Sequence, residues 1–291
     1  MGKNAEISAL IIWLISLDFV GFFCKLHNKY CCQFTYFVIF SKMEGSFMGI
    51  AIMVTSGKGG TGKTSLTAGV ASCLAALGHR VLCIDLDIGL RNLDIALGLS
   101  DLAVMDFSDV MNRRCPLLAA VTAHPDIRGL YLLTAPLNLD NSDPMAFRHM
   151  IDDAKEYYDF IFLDCPAGLG TGFKLSMAAA DRAILVSATD PAALRDAQRT
   201  VSELVGSVNE VHLVMNRVQP KLMDQLRTSI DFAMDTAGLP LLGVVPEDSN
   251  VTVAATAGEP LVLMTYKGAA PAYLNIARRL LGQRTPLLRI R

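Results

Sequence analysis

The sequence has almost no net charge: 26 lysines and arginines stand against 28 aspartates and glutamates, a formal balance of −2. That near-cancellation excludes a strong global field, and it makes DNA an improbable main partner. There is also no metal-spaced cysteine pair. Cys31 and Cys32 are adjacent and the others are scattered, a pattern of reduced buried thiols in a cytoplasmic protein rather than of a zinc site. No internal repeat and no low-complexity tract interrupts the chain. After Met48 there is no linker-like stretch, so residues 48–282 read as one domain. What the sequence has in quantity is apolar residues, 52% of the total.

The residues ahead of Met48 have a different character. Ile7 to Phe23 is apolar apart from Ser8, Ser16, Asp18 and Gly21, and a second aromatic-rich run covers Phe34 to Phe40. A membrane anchor is one reading, although Asp18 in a short span costs several kcal/mol near its centre. A signal peptide is another, but no cleavage site follows. The favoured expectation is a start codon placed too early. Met43-Glu44-Gly45 back-translates into a purine-rich ribosome-binding sequence just ahead of the Met48 codon, and Met48-Gly49-Ile50 opens the first strand. Intact mass of the native protein decides between these readings.

Ile50 to Val54 is a short apolar run typical of a buried parallel strand. It leads into Gly57-Lys58-Gly59-Gly60-Thr61-Gly62-Lys63-Thr64, which satisfies G-x-x-x-x-G-K-[ST], and then Ser65 and a stretch of helical composition. Glycines let backbone N–H groups turn inward around phosphate oxygens. Lys63 reaches the β- and γ-phosphates, the Thr64 hydroxyl suits Mg²⁺, and the helix N-terminus faces the anion. The pattern therefore predicts a nucleoside triphosphate with Mg²⁺. Lys58 is a second ammonium that an ordinary loop of this kind does not need.

Two further apolar runs end in carboxylates. Arg80 to Asp85 is followed by Leu86-Asp87, which places Asp85 and Asp87 at the carboxyl edge where α/β sheets bind ligands. Asp85 can contact the Mg²⁺ shell and Asp87 can orient water. Asp159 to Asp164 is the clearest buried strand, and Asp164 stands where a carboxylate bonds a Mg²⁺ water. Strands are also predicted at Gly129–Ala135, Arg182–Ser187, Val211–Arg217 and from Leu241. A helix with its connection is predicted over Ala103–Cys115. Others follow Asp143-Pro144 and Asp190-Pro191, and the last covers Pro271–Leu281. Asn216 offers a donor and an acceptor, which suits an adenine edge. This alternation predicts an α/β fold: a mostly parallel sheet of about seven or eight strands with helices on both faces.

The Lys58-containing loop resembles the deviant Walker A ATPases, the MinD/ParA family of P-loop NTPases. Asp-x-Asp-Ile-Gly-Leu-Arg-Asn-Leu-Asp from Asp85, Asp-Cys-Pro-Ala-Gly from Asp164, and Val-Pro-Glu-Asp ending at Asp248 resemble the MinD branch more than ParA or the nitrogenase iron protein. The resemblance spans Met48 to Gly282. It implies a three-layer P-loop fold, ATP and Mg²⁺, slow ATP hydrolysis and an ATP-dependent homodimer. Lys58 would reach the partner's nucleotide and join Lys63 and Asp87 as a catalytic group. Asn216, Arg217, Pro246, Glu247 and Asp248 would lie around the base. By the same resemblance the output is septum placement, with MinC- or MinE-like partners. Flagellar-number control or DNA partitioning are the alternatives within the family. The sequence departs from the family at its end. MinD proteins usually close on an amphipathic membrane-binding helix, whereas residues 283–291 are short, basic and interrupted by Pro286. Peripheral membrane contact is weakly supported, and docking of this tail on the core is expected instead.

Overall fold

The structure, a computed structural model, describes residues 48–100, 102–139, 143–288 and 290. The readings of residues 1–47 lie outside the described residues. Eight strands form one sheet: β1 (Ile50–Thr55), β2 (Val81–Asp85), β3 (Thr122–Ala123), β4 (Leu130–Leu133), β5 (Phe160–Asp164), β6 (Arg182–Ser187), β7 (Glu210–Val218) and β8 (Leu241–Pro246). Their order is β3-β4-β2-β5-β1-β6-β7-β8. Pairing is parallel throughout except for the short edge strand β3.

The period-2 alternation of each strand sends side chains to two separate cores. Ile52 and Val54 of β1 pack with Leu66 and Leu74 of the helix Lys63–Ala76 and with Ile276 of the helix Ala270–Leu280. Ala51 and Met53 pack on the opposite face with Phe147 and Ile151 of the helix Pro144–Ala154 and Phe173 of the helix Thr171–Ala179. Both faces are therefore covered, which is why the central strands read as continuous apolar runs. The three-layer expectation holds.

Topology fixes where a ligand goes. β1 lies between β5 and β6, and the chain leaves it first toward β2 on one side and later reaches β6 on the other. In register, Val54 stands beside Asp164, and Asp164 beside Asp85. The carboxyl ends of β1, β2 and β5 thus converge at the point where connections diverge, the usual binding crevice of such sheets.

The expected helix over Ala103–Cys115 is instead a short one, Phe107–Met111, followed by Leu117–Ala120. Arg113 turns into the left-handed region at φ 57°, and Pro116 then caps the second helix. The tail lies against the core. The Arg279 guanidinium donates to the Thr285 carbonyl at 2.6 and 3.2 Å and to that of Leu242 at 3.0 Å, and Leu288 and Ile290 pack on apolar clusters. No helix among the described residues is long and apolar enough to cross a membrane.

At the opposite ends of the strands an ion pair anchors β1. Lys155 is buried, with its Nζ 2.9 Å from Asp181 Oδ1, while Asp181 Oδ2 accepts the Ala51 amide at 2.8 Å. Asp181→Ala removes one of two carboxylates on the buried ammonium, leaving Asp152 Oδ1 at 3.2 Å, and strands the strand amide. It should lower stability by roughly 2 kcal/mol in urea unfolding and leave nucleotide affinity of the folded protein unchanged.

Candidate nucleotide-binding site

The loop after β1 is held open by backbone conformation. Gly60 and Gly62 have φ of 75° and 86°, the left-handed region that a side chain disfavours. Gly62 is also the N-cap of the helix Lys63–Ala76 and supplies no side-chain cap. A Cβ there would lie 2.4 Å from Asn216 Nδ2, so glycine is required for space as well as for φ. The uncapped first turn leaves amides directed at whatever sits in the loop.

Lys63 is buried, and its Nζ donates to Ser56 Oγ at 2.9 Å. Burial lowers its pKa, against the raising effect of Asp164, Cys165 and Asp87. Lys58 is different. Its side chain is 48% exposed, and its Nζ stands 3.5 Å from Asp190 Oδ1. Asp190 also accepts the Ala193 amide at 3.0 Å as the cap of the helix Pro191–Leu204. Gly57 faces away from the cavity, where a Cβ would lie 2.3 Å from the Asp196 carbonyl oxygen.

Asp164 is fully buried at the end of β5, with Thr67 Oγ1 donating to it at 3.1 Å and Thr64 beside it. Burial, then the nearby Asp85 carboxylate, push its pKa up to about 7. Burial likewise pushes Asp85 up to about 6, against the pull of two backbone hydrogen bonds. Those bonds show how Asp85 is used: Oδ1 accepts the Asp87 amide at 2.8 Å and Oδ2 the Leu93 amide at 3.1 Å. Asp85 fastens both ends of the Asp87–Leu93 loop. Asp87 is then presented to the cavity, where Asn92 Nδ2 approaches its carboxylate at 3.4 Å. Two buried carboxylates facing one buried ammonium leave excess negative charge, and beside them is the Thr64 hydroxyl. These residues fit a hydrated Mg²⁺, which is ordinarily bound through one or two carboxylates plus substrate phosphates.

A cavity of about 490 Å³ joins these groups. Gly59, Gly60, Gly62, Lys63, Thr64 and Ser65 line one end, Asp87 and Cys165–Ala167 the next, and Asn216, Arg217 and Pro246–Asp248 the other. Thr61 is buried behind the loop. Several residues expected to touch the base also hold the pocket together. Asn216 Nδ2 donates to the Thr61 carbonyl at 2.7 Å, which leaves the amide oxygen for a ligand. Arg217, at φ 56°, donates to the Gly60 carbonyl at 3.0 Å and grips Glu247 through two bonds of 2.8 and 3.2 Å. Asp248 accepts the Asn250 and Ala269 amides, both at 2.9 Å. Sequence reasoning missed Thr67 and the cavity-lining Val251, Thr252 and Tyr273. Thr67 had a signal, being one helical turn past Lys63 and on the same face.

A phosphate loop between β1 and its helix, strand-end carboxylates on β2 and β5, and a second lysine inside the loop define a P-loop nucleotide-binding protein of the deviant Walker A type. Residues 52–261 match the CobQ/CobB/MinD/ParA nucleotide binding domain. The septum site-determining protein MinD of Bacillus subtilis is 39% identical over 246 residues, which is 82% of this chain and 92% of that protein. A chain of the Aquifex aeolicus MinC:MinD cell division protein complex superposes with a TM-score of 0.75 at 34% identity, over 83% of this chain and 99% of the other. The septum site-determining protein MinD of Pyrococcus horikoshii, complexed with Mg-ADP, gives 0.71 at 30% identity, over 80% and 96%. The chain belongs to the MinD/ParA family of P-loop ATPases, in its MinD branch.

Proposed function

We propose that the protein is an ATP-dependent dimerisation switch that hydrolyses ATP slowly and acts in placing the division septum. One observation carries this reading: Lys58, a half-exposed ammonium at the mouth of a phosphate loop, with a 3.5 Å contact to Asp190 as its one ion pair among the described residues. A lysine so loosely held can leave Asp190 for the phosphates of a second copy. There it would stabilise transition-state charge as an arginine finger does.

The other groups divide the work. Lys63 and the loop amides bind the β- and γ-phosphates. Mg²⁺, held by Thr64 with Asp164 at its hydration shell, would supply charge neutralisation. Asp87 orients the attacking water, and Asp85 positions Asp87 through the loop it fastens. Two chains meeting over their nucleotides would create a surface that only the ATP state presents, suited to a MinC-like partner such as the one the Aquifex MinD binds.

Asp87→Ala tests the switch. Light scattering should find ATP-dependent dimers that persist, with turnover down at least about 100-fold, the size expected for a lost water-activating group. Normal hydrolysis by this variant would remove Asp87 from the mechanism. A wild-type chain that stays monomeric with ATP would remove the switch.

A further inference from the structure

Tyr273 is one of the largest fully buried side chains, at 1% exposure, and it borders the nucleotide cavity. It projects from the first turn of the helix Ala270–Leu280. Its ring fills the space left by a missing side chain: a Cβ at Gly69 would lie 2.2 Å from Tyr273 Cδ2. Gly69 is one turn beyond Ser65 on the helix that starts in the phosphate loop. The ring is thus pressed against the same helix whose first turn faces the phosphates.

The hydroxyl makes no hydrogen bond within the described residues. Yet it is not one of the sealed, unpartnered atoms, which are Thr55 Oγ1, Thr61 Oγ1, Arg91 Nε and His124 Nε2. It keeps an opening, and the residue borders the cavity of about 490 Å³ as well as a pocket of about 20 Å³ beside Gly69, too small for more than a water. A phenol withheld from bulk water without a partner is unfavourable, so a bound acceptor would recover that cost. Burial raises its pKa, and the nearby Asp248 adds to the rise, so the group stays a protonated donor.

The helix carrying Tyr273 is tied to the base pocket. Asp248 Oδ2 accepts the Ala269 amide at 2.9 Å, and Gly268, at φ 63°, allows Asp248 to approach where a Cβ would collide with it. Along the cavity wall Tyr273 keeps company with Ser65, Val251 and Thr252, between the phosphate loop and the Pro246–Asp248 loop. The part of a nucleotide that spans those two ends is the sugar with its α-phosphate.

We infer that Tyr273 is a specificity-determining residue whose hydroxyl donates to the ribose of the bound nucleotide. This rests on the nucleotide reading of the cavity. It predicts that the phenol distinguishes a nucleotide from a bare polyphosphate.

Tyr273→Phe keeps the ring on Gly69 and removes only the hydroxyl. Calorimetric titration with Mg²⁺ present should find ATP and ADP weakened alike, by about 5- to 10-fold, the size of one lost hydrogen bond. Inorganic triphosphate should bind the variant as it binds the wild type. 2′-Deoxy-ATP then locates the bond on the sugar: equal loss for ATP and 2′-deoxy-ATP places it away from the 2′-hydroxyl. Unchanged ATP and ADP affinities would overturn the inference, as would an equal loss for triphosphate. A melting temperature without nucleotide that does not fall excludes a packing defect. Failure of the wild-type chain to bind ATP or ADP at all would instead overturn the nucleotide reading.

Discussion

Lys63→Ala should abolish nucleotide binding, with at least about a 100-fold loss of ATP affinity in an equilibrium titration. The size follows from where the ammonium sits. Lys63 is 8% exposed and held by Ser56 Oγ at 2.9 Å, so its charge would act on bound phosphates without much competing water. A charge-assisted hydrogen bond contributes about 1.5–3 kcal/mol, and a lysine reaching two phosphates makes more than one. The alanine also leaves Asp164 with no nearby cation among those that lower its pKa, so the site becomes more hostile to anions. Lys63→Met fills the same space without charge and should lose binding equally. If Lys63→Met retained affinity, the phosphate role of this lysine would be wrong. Lys58→Ala should behave differently. In the proposed switch the exposed lysine serves a second chain's site, so ATP should still bind while turnover falls.

The contrast between the two lysines marks what is legible in a sequence. The phosphate loop could be read because its chemistry is local: glycines, lysine and hydroxyl are fixed by consecutive backbone. The strand ends at Asp85 and Asp164 could be read because apolar runs terminate in carboxylates, and the register then placed those two residues side by side. The three-layer fold followed from the alternation of such runs with helical segments. What was hidden depends on contacts between distant segments. Asp85 bonds the amides of Asp87 and Leu93, a loop closure that spacing alone does not reveal. Arg217 takes a left-handed φ, which no local rule demands of arginine, because its fork joins Gly60 to Glu247. Tyr273 entered the site because Gly69, far away in sequence, lacks a side chain. The helix over Ala103–Cys115 was overextended for a local reason, the left-handed turn at Arg113 ahead of Pro116.

Asp164→Asn should separate stability from function. Asp164 is fully buried, and its pKa stands at about 7 against an ordinary 3.8. A carboxyl raised in this way binds its proton more tightly when folded than when unfolded. Its contribution to stability therefore improves as pH falls from about 7 toward 3.8, and its ionised form is a cost above that window. Asparagine removes the charge and keeps an oxygen for the Thr67 hydroxyl, which now donates to Asp164 Oδ1 at 3.1 Å. Without nucleotide at pH 8, the variant should be more stable than the wild type by on the order of 2 kcal/mol in urea unfolding. At pH 5 the gain should shrink to about a third, and it should vanish only toward pH 3.8, where the unfolded carboxyl is protonated as well. Mg²⁺-dependent ATPase activity should be lost at both pH values, because the neutral amide no longer offsets the metal's charge. An equal loss of stability at pH 8 and pH 5 would show that Asp164 is held by its bonds and not strained by its charge. The paired outcome, a steadier fold and a silent site, is what a buried carboxylate kept for a cation predicts.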